Sequence, residues 1–390
     1  LDQSGRPVKF WDLWRNGRYG SEAPKLKVVI SGGGTGGHVF PAIAIANALK
    51  SAYKNIDILF VGAKGRLEME KVPQAGYPIE GLWISGIQRR LTLKNLLFPF
   101  KLISSLWKAR GILRRFRPDV VVGVGGYASG PTLEMAARMG IPALIQEQNS
   151  FPGITNRLLA KKVERICVAY PEMARFFPAE KIVMTGNPVR QDIAELDDKR
   201  GPAFTHYALD PDKKTILVLG GSGGARSINE SLKVNTAAIA KAQNVQILWQ
   251  CGKFYFEEYE KTETAQLENV HIRAFLERMD LAYALADLVI ARAGALTISE
   301  LCIVGKPSIL IPSPFVAEDH QTRNAEALSS RNAAILQKDS EAATAVPKAL
   351  KLLEHENELE ALRTNIQKMS RPDAASRIAD EVLGLIEISK

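Results

Sequence analysis

Short apolar runs bounded by glycine or proline recur along the chain: LKVVIS (26–31), DILFVG (57–62), DVVVGVGG (119–126) and PALIQE (142–147), then TILVLG (215–220), VQILWQCG (245–252), DLVIARAG (287–294) and PSILIPSP (307–314). Their apolarity is continuous rather than alternating, which predicts strands buried on both faces, as in parallel sheets. Between them lie stretches with apolar residues at helical spacing, such as VFPAIAIANALKSA after the first run, where Pro41 is expected in the first helical turn and its missing N–H costs nothing. Strand, glycine loop and helix follow one another near residue 32 and again near residue 220. Alternation of this kind predicts an α/β chain of two Rossmann-like domains. The punctuation TGNPVR (185–190) marks the expected joint.

Composition narrows the class without naming a function. The 390 residues are too many for one compact core, and 46% hydrophobic with 24% charged residues excludes disorder, collagen and low-complexity chains. Three widely spaced cysteines (Cys167, Cys251, Cys302) fit neither a disulfide framework nor a zinc site and suit a reducing compartment. No run is long and apolar enough to span a membrane. Residues 1–24 have no apolar core of the kind a secretory signal needs and are read as an extension outside the fold. The net charge of +9 is concentrated: Ser85 to Arg117 contains nine basic residues and no acidic one. Without a nucleic-acid reading motif, that segment points to a membrane surface or an anionic substrate.

Three strand-to-helix turns carry candidate chemistry. Gly32, Gly34 and Gly37 satisfy G-x-G-x-x-G, but the next strand ends Phe60-Val61-Gly62-Ala63 with no acid placed for an adenosine ribose, so a dinucleotide is not expected. The loop still lets backbone amides approach an anion at a helix start, the plain alternative being a tight turn. The second loop, Gly220 to Arg226, adds a hydroxyl and a guanidinium, and lacks the Lys-Ser/Thr ending of a triphosphatase. The third, DLVIARAGALTISELCIVGKP (287–307), places Gly294 and Ala295 at a helix start and Glu300 about one and a half turns on. A diphosphate fits the amides there, while both Glu300 oxygens accept from vicinal ribose hydroxyls. Asp319, His320, Gln321 and Asn324 follow a strand at the edge where ligands of such sheets bind, although Asp319 also suits a plain N-cap.

Seven strings in order, GGGTGGHVFPAIAIA, GVGGYASGP, QEQNSFPGITNRLLA, TGNPVR, LGGSGGARSIN, RAGALTISE and EDHQTRNA, resemble the MurG family. These are the UDP-N-acetylglucosamine to lipid-linked muramyl-pentapeptide N-acetylglucosaminyltransferases of bacterial peptidoglycan synthesis. The likeness covers about residues 26 to 385 and implies a GT-B fold, two Rossmann-like domains facing a central cleft. It implies an acceptor and membrane domain over 25–187 plus about 371–390, with the last helix returning to it, and a donor domain over 188–370. Carried over by position, the donor contacts are Thr35, Gly36, Gly37, Asn149, Arg190, Ser222, Leu276, Ala295, Leu296, Thr297, Ile298, Ser299, Glu300 and Gln321. Leu276 stands where some members have isoleucine, which suits recognition of uracil by its backbone. One glutamine, Gln321, stands where others have two.

The implied reaction is inverting transfer from UDP-GlcNAc to the muramyl C4 hydroxyl of undecaprenyl-linked lipid I, giving lipid II. It needs a base for the hydroxyl and stabilisation of the leaving diphosphate. His38, at the loop mouth, and Glu147, where a buried strand opens into a loop, are the candidate bases. No His/Cys/carboxylate cluster with metal-ligand spacing occurs, so no protein-bound catalytic metal and no tightly bound cofactor is expected, while free Mg²⁺ with UDP is compatible. Ile87, Arg89, Arg90, Leu91, Lys94, Leu97 and Phe98 are the expected contacts with an anionic membrane, at its cytoplasmic face, and no nucleic acid is expected. Two rivals are a UDP-sugar 2-epimerase of the same fold, which needs no such surface, and a non-catalytic UDP-sugar sensor, which needs no base.

Overall fold

The computed structural model describes residues 24–86, 97–221, 223–316 and 319–388. The chain divides into two compact units, one formed by residues up to Pro188 together with Asp373 onward, the other by Val189–Pro372.

The first unit is built on a parallel sheet of β1 (Leu26–Ser31), β2 (Ile56–Ala63), β3 (Ile79–Leu82), β4 (Val120–Gly123), β5 (Ala143–Glu147), β6 (Arg165–Val168) and β7 (Ile182–Met184), in the order β3-β2-β1-β4-β5-β6-β7. Val28 lies opposite Ile58 on one side and Val120 on the other, so β1 is central. Successive β1 residues face opposite layers. Val28 and Ile30 pack with Val39, Ile45 and Leu49 of the helix Gly36–Ala52 and with Ile378 and Val382 of the final helix Ala374–Ile388. Val29 packs with Ile112 and Leu113 of the helix Phe98–Phe116 and Leu133 of the helix Ser129–Arg138. Double-sided burial is why these strands read as unbroken apolar runs.

The second unit repeats the plan with β8 (Lys214–Leu219), β9 (Val245–Gln250), β10 (Val270–Arg273), β11 (Leu288–Ala291), β12 (Ser308–Leu310) and β13 (Ile335–Leu336), all parallel, in the order β10-β9-β8-β11-β12-β13. Ile216 and Val218 face one layer, Leu217 and Leu219 the other. In each sheet the strand order reverses beside the first strand of the unit. The loops after β1 and β4, and those after β8 and β11, therefore lie side by side at the switch points where ligands of doubly wound sheets bind.

Two expectations differ from the fold. The edge strands β3, β7, β10 and β13, and β6 one place in from the edge, are not marked by strong apolar runs, because strands of two to four residues take their pairing from a neighbour rather than from their own pattern. The first helix begins at Gly36, so Pro41 lies beyond its first turn and supplies no N–H to the Gly37 carbonyl. All three cysteines are free and buried.

Candidate active site

In the first unit, the switch point interlocks two glycine segments distant in sequence. The Gly33 N–H donates to the Gly125 carbonyl at 3.3 Å. Gly126, at φ +86°, passes so close to the first loop that a Cβ there would stand 2.2 Å from the Gly33 carbonyl oxygen. The half-buried His38 ring lies against Gly125, where a Cβ would come within 2.8 Å of Cδ2 and 2.9 Å of Nε2. Its Nδ1 is 3.2 Å from the hydroxyl oxygen of Thr35, which is exposed at the start of the helix Gly36–Ala52. The paired glycines thus make the room in which the imidazole stands, beside Gly36 and Gly37.

Glu147 behaves differently from the expectation of a base at a loop mouth. At the end of β5 it is buried, and both oxygens are engaged: Oε1 accepts from the Asn149 N–H at 3.0 Å and Asn149 Nδ2 at 3.3 Å, Oε2 from the Gly153 N–H at 3.2 Å and Asn156 Nδ2 at 2.8 Å. Burial pushes its pKa up, against the pull of these bonds. The carboxylate ties the segment 147–156 into one loop and so places Asn149. Gln146 Nε2 donates to Asn187 Oδ1, and Asn187 Nδ2 to the Gln148 carbonyl, fastening the same loop to TGNP. Replacing Glu147 by alanine leaves the buried Asn156 amide unmatched at about 1–3 kcal/mol and three partly buried donors at less. A thermal midpoint several degrees below wild type, with UDP affinity unchanged by calorimetry, is expected; an unaltered midpoint would sink this assignment.

In the second unit, a cavity of about 650 Å³ is lined by Gly220, Gly221, Gly224, Arg226, Arg292, Gly294, Thr297 and Gln321 among others. Two helix starts border it, those of Arg226–Val234 and Ala295–Val304, the second entered through Gly294. Their unpaired amides favour negative charge. One wall is a polar knot. Arg292 Nη1 donates to the Ile311 and Pro312 carbonyls at 3.0 and 3.1 Å and to Asp339 Oδ1, Nη2 donates to Ser227 Oγ at 3.0 Å, and Ser227 Oγ donates to the same Asp339 oxygen. Arg292, Ser227 and Asp339 were not singled out in the sequence; Arg292 stood inside the RAGALTISE string, but Asp339 had no local signal. Gln321 lines the cavity while its Oε1 accepts from the Ser313 N–H at 2.9 Å, so its carbonyl end also pins the preceding loop.

Glu300 projects from the helix Ala295–Val304 but is buried, and Tyr283 Oη donates to its Oε2 at 3.0 Å. The expectation that both oxygens are open to a ribose is therefore corrected, because Tyr283 occupies one of them. Burial raises the Glu300 pKa to about 7, opposed by the positive charge of Arg190 and the Tyr283 bond. Arg190 is half-buried and pairs with Asp192 at 3.7 Å. Leu276 is buried and its N–H donates to Gln250 Oε1 at 2.9 Å, so of the backbone groups expected to read uracil the donor is already engaged within the protein. Ala295 and Ile298 are buried, while Leu296, Thr297 and Ser299 are partly exposed, with Ser299 Oγ bonded back to the Ala295 carbonyl. Asp319 is exposed and in the left-handed region, its carboxylate accepting from the Thr322 hydroxyl rather than from a backbone amide of the cap. Ser222 lies outside the described residues.

Of the expected membrane contacts, Ile87, Arg89, Arg90, Leu91 and Lys94 lie outside the described residues. Leu97 is exposed, but Phe98 turns inward and packs on the core, because it begins the helix on its buried side. Phe100, Ile103 and Trp107 continue the exposed stripe at 65%, 55% and 74% exposure, whereas Leu102 and Leu106 pack inward. Among the described residues no helix is long and apolar enough to cross a membrane.

Two doubly wound domains, the second with a cavity lined by a glycine loop, two helix starts and two arginines, define the class of GT-B nucleotide-sugar enzymes. Residues 28–168 match the glycosyltransferase family 28 N-terminal domain and residues 215–378 its C-terminal domain. A relative from Flavobacterium psychrophilum is 54% identical over 367 residues, covering 94% of this chain and 99% of its own length. One from Bacteroides fragilis is 53% identical, covering 93% and 97%. Both are named UDP-N-acetylglucosamine--N-acetylmuramyl-(pentapeptide) pyrophosphoryl-undecaprenol N-acetylglucosamine transferase. The crystal structure of Acinetobacter baumannii MurG aligns with a TM-score of 0.71 at 30% identity, covering 92% of this chain and 99% of that one. The chain belongs to glycosyltransferase family 28 and, within it, to the MurG family. A UDP-GlcNAc 2-epimerase from Neisseria meningitidis shares the fold, with a TM-score of 0.66 at 14% identity.

Proposed function

We propose that this chain transfers N-acetylglucosamine from UDP-GlcNAc to the C4 hydroxyl of the muramyl sugar of lipid I, with inversion at the anomeric carbon and release of UDP. The observation that carries this reading is the cavity of the second unit, where the glycine loop, two helix starts and Arg226 and Arg292 converge, in a chain related along nearly its whole length to transferases of that name. The diphosphate is held by the first-turn amides of those two helices and by the cations, whose charge stabilises the leaving group. Glu300 accepts from the ribose through the oxygen not taken by Tyr283. His38 removes the proton of the attacking hydroxyl, so the anomeric C–O bond to UDP breaks as the new glycosidic bond forms. Asn149, placed by Glu147, orients the sugar. No protein-bound metal or cofactor takes part in this scheme.

The test is incubation of the purified chain with UDP-GlcNAc and a short-chain lipid I analogue. Stoichiometric UDP and disaccharide product are expected. UDP release or sugar epimerisation independent of the acceptor would favour the epimerase, and binding without turnover the sensor; the epimerase structures match this chain in fold alone.

The exposed stripe Leu97, Phe100, Ile103 and Trp107, within a basic segment, suits docking to the anionic cytoplasmic face of the bacterial membrane, where the acceptor lipid resides. Phe100→Ser with Trp107→Ser removes two large apolar groups that each contribute about 1.5–3 kcal/mol when buried. Co-sedimentation with phosphatidylglycerol vesicles is expected to fall at least tenfold with UDP affinity unchanged; undiminished sedimentation would reject this face as the contact.

A further inference from the structure

Beneath the first glycine loop lies a carboxylate with no part in the scheme above. Glu68 opens the helix Glu68–Gln74 and is 1% exposed. Its oxygens accept from two backbone amides on separate segments: Oε2 from the Gly34 N–H at 2.7 Å, and Oε1 from the Ala63 N–H at 2.9 Å at the end of β2. The surrounding backbone is shaped to admit it. A Cβ at Gly33, where φ is +148°, would stand 2.1 Å from Glu68 Cδ, and one at Gly62 would stand 2.5 Å from Cγ. A buried carboxylate is costly unless hydrogen-bonded, and an apolar side chain here would leave both amides unmatched.

Resting on the transfer reading, we propose that Glu68 is a positioning residue for this reaction: by taking up the Gly34 amide within the space left by Gly33 and Gly62, it holds the loop 32–37 in the conformation that presents Thr35 and His38. Gly34 is the residue before Thr35, whose hydroxyl oxygen is 3.2 Å from His38 Nδ1, so a shift of Gly34 moves the imidazole's own support. The same contact withdraws the Gly34 amide from any anionic ligand. The two glycine loops, alike in sequence, therefore differ in use. The first spends an amide on an internal carboxylate, and the second borders a cavity with Arg226 and Arg292.

Two variants of the full chain test this. Glu68→Gln keeps the shape but turns an NH₂ toward one of two donors. Gly62→Ala leaves Glu68 intact and displaces its side chain. In both, hydrogen–deuterium exchange of peptides spanning residues 32–40 is expected to quicken at least tenfold, with peptides of β8 and β11 unchanged. Turnover should fall at least tenfold, with the UDP Kd within twofold of wild type, since the cavity of the second unit is untouched. Because Glu68 acts through the loop, Glu68→Gln added to His38→Ala should cost little more than His38→Ala alone. Wild-type exchange in both variants, undiminished turnover, or full multiplication of the two losses would overturn the proposal. If the wild-type chain transfers no sugar, the transfer reading fails, while the exchange of residues 32–40 still decides whether Glu68 holds the loop.

Discussion

Replacing His38 by alanine is expected to lower turnover roughly 10²-fold or more, the usual worth of a general base, while UDP affinity and the thermal midpoint stay close to wild type. The cavity proposed to hold the diphosphate belongs to the second unit, and His38 is not part of its lining. The histidine itself is half-buried at the start of a helix whose core contacts are made by Val39, Ile45 and Leu49. For the ring to take a proton at Nε2, Nδ1 must carry the other hydrogen and donate it to Thr35 Oγ1. Thr35→Val is therefore expected to lower turnover as well, by less than His38→Ala, through loss of tautomer and orientation. A base must be unprotonated to act, so the wild-type advantage over His38→Ala should be largest near pH 8 and narrow toward pH 5. Turnover within threefold of wild type at pH 8 would make the loop histidine a packing residue.

Glu300→Ala is expected to weaken UDP binding about ten- to a hundredfold, the loss of a charge-assisted hydrogen bond worth about 1.5–3 kcal/mol. Glu300→Gln is more informative, because Gln retains an acceptor for Tyr283 Oη while removing the titration. Burial sets the Glu300 pKa near 7, against an ordinary 4.5. Between those values the folded protein keeps a proton that the unfolded chain has lost, so this residue makes stability fall as pH rises through the window, and its cost is complete above it. The thermal midpoint of Glu300→Gln without ligand should therefore match wild type near pH 5 and exceed it near pH 8. UDP affinity should run the other way. Ribose hydroxyls donate best to the ionised carboxylate, so wild-type affinity rises between pH 6 and 8 by more than that of Glu300→Gln, which reports the titration of UDP alone. Calorimetry at three pH values with both proteins decides it; parallel curves would remove Glu300 from the ribose site.

These two residues were legible in different measure. His38 could be read from its place after a glycine loop, because a strand, a turn and a helix start are contiguous and each leaves a local pattern. Glu300 could be placed on its helix for the same reason, but not its burial or its bond to Tyr283, which comes from a helix seventeen residues earlier. Glu147 was expected to face a ligand and instead organises a loop, since the four donors that saturate it arrive only when residues 149–156 fold back.

The sequence by itself determined the two parallel α/β domains, the glycine turns and the family, because periodic burial and turn chemistry are written within stretches of about ten residues. The tertiary structure decided what depends on strand order and on which groups water reaches. The order β2-β1-β4 sets Gly125 and Gly126 against the first loop and gives His38 its place. In the second sheet, the polar knot joins Arg292 to Asp339 across 47 residues of chain. On the helix Phe98–Phe116, Leu102 and Leu106 turn inward while Ile103 and Trp107 stay exposed, although all four are apolar. Composition cannot separate such neighbours, since a helix turns about 100° per residue and only the packing partner fixes which side is dry.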